Sequence, residues 1–195
     1  IRITMARIGE VVESDTNGFL VQSYELYKCP ALGSLVRVGT NDSVFGIVCH
    51  STTVGIDPSR LPIARGEFLK DEDDVYDQNP QLSRLLKTQF RSIAVGYKNM
   101  DEIKPFLPPY PPRIHSFAYD CSEDDIKGFA NSHDLFRIVL LSGLPQSDDV
   151  VASFVKNCAV MMEDPSGYKR EASRILASVI SGDSQRINSL LRRLE

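Results

Sequence analysis

The sequence predicts an α+β protein in two parts: a small closed antiparallel β-barrel of about six strands, then an α-helical bundle of four to five helices. Three observations carry that prediction. Short runs of β-branched and aromatic residues, punctuated by turn residues, fill positions 6–54. Four prolines stand within five residues at 108–112. From Ser122 onward, apolar residues recur at helical spacing behind capping residues. The expected division is a barrel domain over 5–104, a proline-rich linker over 105–118 and a helical domain over 119–195.

The β elements follow in order. Arg7–Ser14 partly alternates and leads through Asp15-Thr16-Asn17-Gly18 into Phe19–Tyr24, a hairpin whose Asn-Gly pair tolerates positive φ. Leu35–Val38 places Val36 and Val38 on one face, and a turn at Gly39–Asp42 leads into Val44–His50. Glycine weakens a strand, so Gly9 and Gly46 mark bends where a small barrel turns a corner. Residues 55–90 are irregular, with an acidic run at Asp71–Asp74 and a short helix expected over Gln81–Gln89. Phe90–Tyr97 then reads as a returning strand that closes the barrel. A long irregular connection of this kind is often functional or covers a barrel opening.

The prolines of 105–112 fit neither a helix nor a central strand, and a stiff extended linker is preferred over a polyproline ligand for an SH3- or WW-type groove. Beyond them, Ser122–Asp125 has the form of a capping box ahead of Ile126 and Phe129. Asp134–Leu141 is expected as a second helix starting at Ser132-His133. Ser147-Asp148-Asp149 is expected to cap Val150–Met162. Pro165 or Ser166 opens the next helix, which Gly182 stops, and Asp183 caps the last.

At this point the barrel half resembles a known family. Ile8-Gly9-Glu10-Val11-Val12, Phe19-Leu20-Val21, Leu32–Val38 and Val44–Val48 are similar to the HAS-barrel (HerA–ATP synthase barrel) domain, with Asn79–Leu82 and Ile93–Tyr97 resembling its tail. The resemblance covers about half the chain and rests on Gly9, Val11, Phe19, Gly33, Val36, Val38, Gly46 and Val48 as structural motif positions. In that family a RecA-like ATPase follows the barrel. This chain departs from that pattern, because it contains no G-x-x-x-x-G-K-[ST] and its second half lacks alternating strands and helices. The resemblance therefore implies a stand-alone member without the motor, in a scaffold role.

Composition narrows function further. The 195 residues are 42% apolar and 25% charged with a net charge of −4, unlike the basic footprint of a dedicated nucleic-acid binder. No apolar run approaches the length of a membrane span. No signal peptide is read, Met5 is a candidate start, and Ile1–Thr4 then belong to a longer or engineered N-terminus. Cys29, Cys49, Cys121 and Cys158 form no C-x-x-C pair. They are expected as reduced, mostly buried thiols in a cytoplasmic setting.

No catalytic constellation is read, so no enzyme activity, cofactor or metal is expected. His50, His115 and His133 lie in separate segments. Asp71–Asp74 lacks the spacing and glycine of an EF-hand loop and reads as a solvated acidic loop. Lys169, Arg170, Arg174, Arg186, Arg192 and Arg193 are candidate contacts for phosphate or for an acidic partner, such as another copy's Asp71–Asp74 loop; the alternative is the wet face of amphipathic helices. Two functions follow. The favoured one is a non-catalytic protein-interaction or assembly module that binds a protein partner or itself. The other is an accessory factor of a HerA-like or other DNA-processing complex touching nucleic acid through the basic helices. Internal carboxylate pairing of those arginines separates the two.

Overall fold

The computed structural model describes residues 6–194 except Asn41 and Asp101; the expected start at Met5 and residue Asn41 of the β3–β4 turn lie outside the described residues. Among the described residues seven strands form one antiparallel sheet: β1 (Arg7–Ser14), β2 (Gly18–Ser23), β3 (Leu35–Val38), β4 (Val44–Gly55), β5 (Leu86–Asn99), β6 (Glu102–Lys104) and β7 (Phe117–Asp120). Their order is β2-β1-β7-β3-β4-β5-β6, and an additional β2–β5 pairing joins the ends into a ring of bonded strands with β6 appended to β5. Two short helices, α1 (Asp73–Gln78) and α2 (Leu82–Leu85), sit in the β4–β5 connection. Five more follow the sheet: α3 (Glu123–Phe129), α4 (His133–Leu140), α5 (Ser147–Ala159), α6 (Pro165–Val179) and α7 (Ser184–Leu194).

Strand alternation divides the sheet's apolar residues between two cores. Val11, Phe19, Val21, Val36, Val38, Val44, Val48, Phe90, Ala94 and Ala118 pack together on one side. Phe45, Ile47, Cys49, Ile93 and Val95 take the opposite side and share a core with Phe129, Leu135, Phe136, Val151, Phe154 and Leu176 of the helices. The continuous burial of Val44–Cys49 follows from this: the first half of β4 is covered on both faces.

Several expectations are corrected. The proline-rich segment joins β6 to β7, two strands of the same sheet, so it does not run from sheet to helices. Phe117–Asp120, assigned to the linker and the helical part, pairs with both β1 and β3. The segment is also packed down: Ser14 Oγ donates to the Pro112 carbonyl at 2.6 Å, Pro108 and Pro112 are buried, and the Phe106 ring meets Tyr97 edge-on at 5.7 Å. The helix expected over Gln81–Gln89 is cut to four residues, because from Leu86 the chain pairs with β4 and then with β2.

The hairpin turn also differs from the positive-φ type. Asp15 donates its N–H to the Gly18 carbonyl at 3.0 Å, while its side-chain oxygen accepts from the N–H groups of Asn17 and Gly18. Gly18 is needed for another reason: a Cβ there would lie 2.2 Å from the Ser92 carbonyl oxygen. Gly9 and Gly46 do stand at register shifts, against β7 and β5 respectively, as the bend expectation requires.

Helix starts follow local chemistry. Ser122 and Asp125 complete a capping box, and Ser132 accepts from the Leu135 N–H at 3.1 Å. Asp164 accepts from the Gly167 N–H at 2.9 Å with Pro165 in the first turn, and Asp183 accepts from Arg186 at 2.9 Å. The α5 start is the exception. Its cap position is Gln146, without a side-chain bond, and Ser147 is buried inside the first turn.

Candidate functional site

Most of the motif positions of the barrel resemblance gather in one place. Val11, Phe19, Val36, Val38 and Val48 all belong to the first core, and Gly46 faces the Phe19 ring. Gly33 does a different job. Its φ of +76° and the approach of Phe154 N, 2.5 Å from where a Cβ would be, let the β2–β3 loop rest on the α5 backbone. Its N–H donates to the Val48 carbonyl at 2.8 Å.

The basic residues of the C-terminal helices hold partners within the chain. Arg186 binds Asp148 through Nε at 3.0 Å and Nη2 at 2.7 Å. Arg193 meets Asp149 at 2.6 Å, Arg174 meets Glu171 at 3.3 Å and Arg170 meets Asp164 at 3.9 Å. Lys169 Nζ donates to the Leu194 carbonyl at 2.6 Å, and Arg192 Nε to the Asn188 carbonyl at 3.3 Å.

The titratable residues are dispersed. His50 is exposed, and His115 sits at φ +66° with Nδ1 3.0 Å from Glu10. His133 Nε2 lies 3.4 Å from Ser178 Oγ, but that hydroxyl donates to the Ile175 carbonyl at 2.7 Å, so its proton is directed away from the imidazole. Among the described residues no three His, Cys, Asp or Glu side chains converge on a point where a metal ion could sit. Asp71 accepts from the Asp73 N–H at 3.1 Å in an exposed loop. All four cysteines are unbridged. Burial pushes the Cys158 thiol up to about 12 and raises Cys49 and Cys121 as well, which keeps these sulfurs in the unreactive thiol form.

Two surface features stand out instead. One is a groove of about 720 Å³ between the outer face of the sheet and α4. Cys49, Ile93, Phe106, Ile138, Leu141 and Leu144 give it an apolar lining, and Asp15, Arg91, Asp134 and Arg137 supply charge. Arg91 is held by Glu13 at 2.8 Å. The other is the β4–β5 connection. Arg60–Gly66 carry neither helix nor strand, and the whole run Arg60–Phe68 is exposed. Within it Leu61 is 88%, Ile63 79% and Phe68 90% exposed. The hydroxyls of Tyr76 in α1 and Tyr27 in the β2–β3 loop hydrogen-bond to each other, and that contact raises Tyr76 to about 12, fixing the base of the connection to the body.

Of the two, only the irregular 55–90 connection was singled out in the sequence, as functional or as covering a barrel opening. The groove is assembled from five separate segments. The connection did carry a signal: four large apolar residues, Ile56, Leu61, Ile63 and Phe68, in a stretch without helical or strand periodicity. The chain matches no protein-family model and no curated protein sequence. Among the described residues no helix is long and apolar enough to cross a membrane.

Proposed function

We propose that the ring of strands is a small β-barrel of the HAS type and that the chain is a non-catalytic interaction or assembly module. The observation that carries this is the exposure of Leu61, Ile63 and Phe68 on an anchored connection. Three large apolar side chains left in water on one short stretch of chain are the kind of surface that soluble proteins use for contact. The raised thiol pKa values and the dispersed histidines support a non-catalytic role, and the four unbridged cysteines support a reducing, cytoplasmic setting. Contact with nucleic acid through the C-terminal helices is the weaker reading, since Arg170, Arg174, Arg186 and Arg193 each already hold a carboxylate of the same chain.

Affinity capture with the full chain, compared with the Leu61→Ser/Ile63→Ser/Phe68→Ser variant, tests the proposal. The expected result is a stoichiometric protein partner, or further copies of the chain, retained by the wild type and lost by the variant, with no ATP bound or hydrolysed. ATP turnover, or a capture profile that the variant leaves unchanged, overturns it.

A further inference from the structure

We infer that the chain associates with itself head to tail, the Arg60–Arg65 segment of one copy seating in the groove beside α4 of the next. This rests on the interaction-module proposal and names its partner as a second copy. The segment reads Arg-Leu-Pro-Ile-Ala-Arg: two exposed apolar side chains set two residues apart around a proline, with an arginine at each end. Pro62 restricts the residue before it to extended backbone and leaves the segment short of one N–H, which suits an extended strip lying in a groove.

The groove offers what that strip lacks. Its apolar lining includes Ile138 and Leu141, and Leu141 itself is 63% exposed. Asp15 and Asp134 bring carboxylates from opposite walls, one from the β1–β2 turn and one from the first turn of α4. Only one Asp15 oxygen is used by its turn, leaving the other for an incoming guanidinium. Both segment arginines are lightly held: Arg60 meets Asp57 at 3.5 Å in an exposed pair, and Arg65 has a neutral acceptor, Asn79, at 3.2 Å. Two residues past Arg65, Glu67 supplies a negative charge that complements Arg137 on the groove wall. The order basic, apolar, basic, acidic on the segment thus has its counterpart in acidic and basic groups around an apolar trough.

No residue of the segment lines the chain's own groove, so segment and groove are two separate patches. The contact is therefore heterologous, and repetition yields a ring if the rotation closes or an open filament if it does not. A contact confined to one segment and one groove falls in the small, transient class, with a dissociation constant in roughly the micromolar range.

Sedimentation velocity on the full chain over a concentration series tests this. Wild type is expected to associate with rising concentration. The segment variant Leu61→Ser/Ile63→Ser and the groove variant Leu141→Glu are each expected to remain monomeric, both altering exposed side chains. Mixed in equal amounts, they retain one intact segment and one intact groove and are expected to form a one-to-one dimer and nothing larger. If Leu141→Glu perturbs the fold by circular dichroism, the exposed pair Arg65→Glu and Asp134→Lys replaces it: each alone weakens association at least about tenfold, and the mixture of the two restores it. A wild type that stays monomeric, a variant that associates as wild type does, or a mixture that fails to dimerise overturns the inference. A monomeric wild type that still captures a different protein through Leu61, Ile63 and Phe68 overturns self-association and leaves the interaction module standing; no partner of either kind ends both.

Discussion

Arg186 of α7 grips Asp148 of α5 with two nitrogens, at 3.0 and 2.7 Å, while the same guanidinium reaches Ser147 Oγ at 3.3 Å and the Leu140 carbonyl at 3.5 Å. One side chain therefore ties the last helix to the end of α4 and the beginning of α5. The Asp148 carboxylate raises the already high pKa of Arg186, so the charge is permanent. Planar, two-point pairing of this kind is the strong form of an ion pair, and its partial burial limits screening. Arg186→Ala is expected to destabilise the protein by about 2 kcal/mol, lowering Tm by roughly 4–8 °C. Arg186→Lys is expected to recover less than half of that, because an ammonium cannot reproduce the fork. A double-mutant cycle with Asp148→Ala by urea denaturation measures the coupling; additive effects would show that the pair does not act as a unit.

Among the sheet glycines held by close approach, Gly18 and Gly46 rank predictably. A Cβ on Gly18 would stand 2.2 Å from the Ser92 carbonyl oxygen, inside the β2–β5 pairing that joins the strands into a ring. A Cβ on Gly46 would meet the buried Phe19 ring at 2.7 Å and Ser92 Cβ at 2.9 Å, side-chain atoms rather than a backbone carbonyl. Gly18→Ala is therefore expected to cost more than about 3 kcal/mol, and Gly46→Ala about 1–3 kcal/mol. Gly143 has open space around it and only its φ of +78° to oppose a side chain, so Gly143→Ala is expected to cost about 1 kcal/mol. Chemical denaturation of the three variants checks the order.

These cases also show which parts of the fold the sequence displays. The strands around Val11, Val36 and Val48 are legible because alternation and turns are local, and so are the helix starts at Ser122 and Ser132, where a short polar side chain meets the N–H group three residues on. β7 is not legible. Its four residues, Phe-Ala-Tyr-Asp, acquire meaning only from β1 and β3, which lie far back in the chain. Leu82, Leu85 and Leu86 have helical spacing, yet the ladder to β4 captures the chain from Leu86 and overrides propensity. Ser147 has the composition of a cap, but it is buried within α5 where Arg186 reaches it. The groove beside α4 is invisible for the same reason as β7: Cys49, Ile93, Phe106 and Ile138 become neighbours only after the sheet has formed.

A buried hydroxyl in the sheet offers a test in the opposite direction. Ser92 is 1% exposed, and its Oγ has no hydrogen-bond partner among the described residues. Burying an unpaired hydroxyl costs free energy that an alanine avoids, and removing one oxygen leaves little void. Ser92→Ala is expected to leave stability unchanged or raise it by up to about 1 kcal/mol. A loss of more than about 1 kcal/mol in denaturant melts would mean that the hydroxyl is bonded after all, for instance to an internal water.

The pH dependence of stability has an identifiable contributor in Glu10. Its carboxylate lies 3.0 Å from His115 Nδ1 and accepts from Tyr24 Oη at 2.9 Å; these bonds, the histidine's being the larger effect, hold its pKa below the ordinary 4.5. A carboxyl whose folded pKa is depressed binds its proton more weakly in the folded state than in the unfolded one. Its contribution to stability is therefore fully present above about pH 4.5 and is lost as the pH falls through the lower folded value. Glu10→Gln is expected to be less stable than wild type at neutral pH, with the gap closing below pH 4.5. His115→Ala should remove most of that dependence while sparing the part due to Tyr24. Urea melts of the three proteins between neutral and acid pH provide the measurement. A gap between wild type and Glu10→Gln that stays constant down the acid limb would show that the carboxylate's charge is not what the folded state uses.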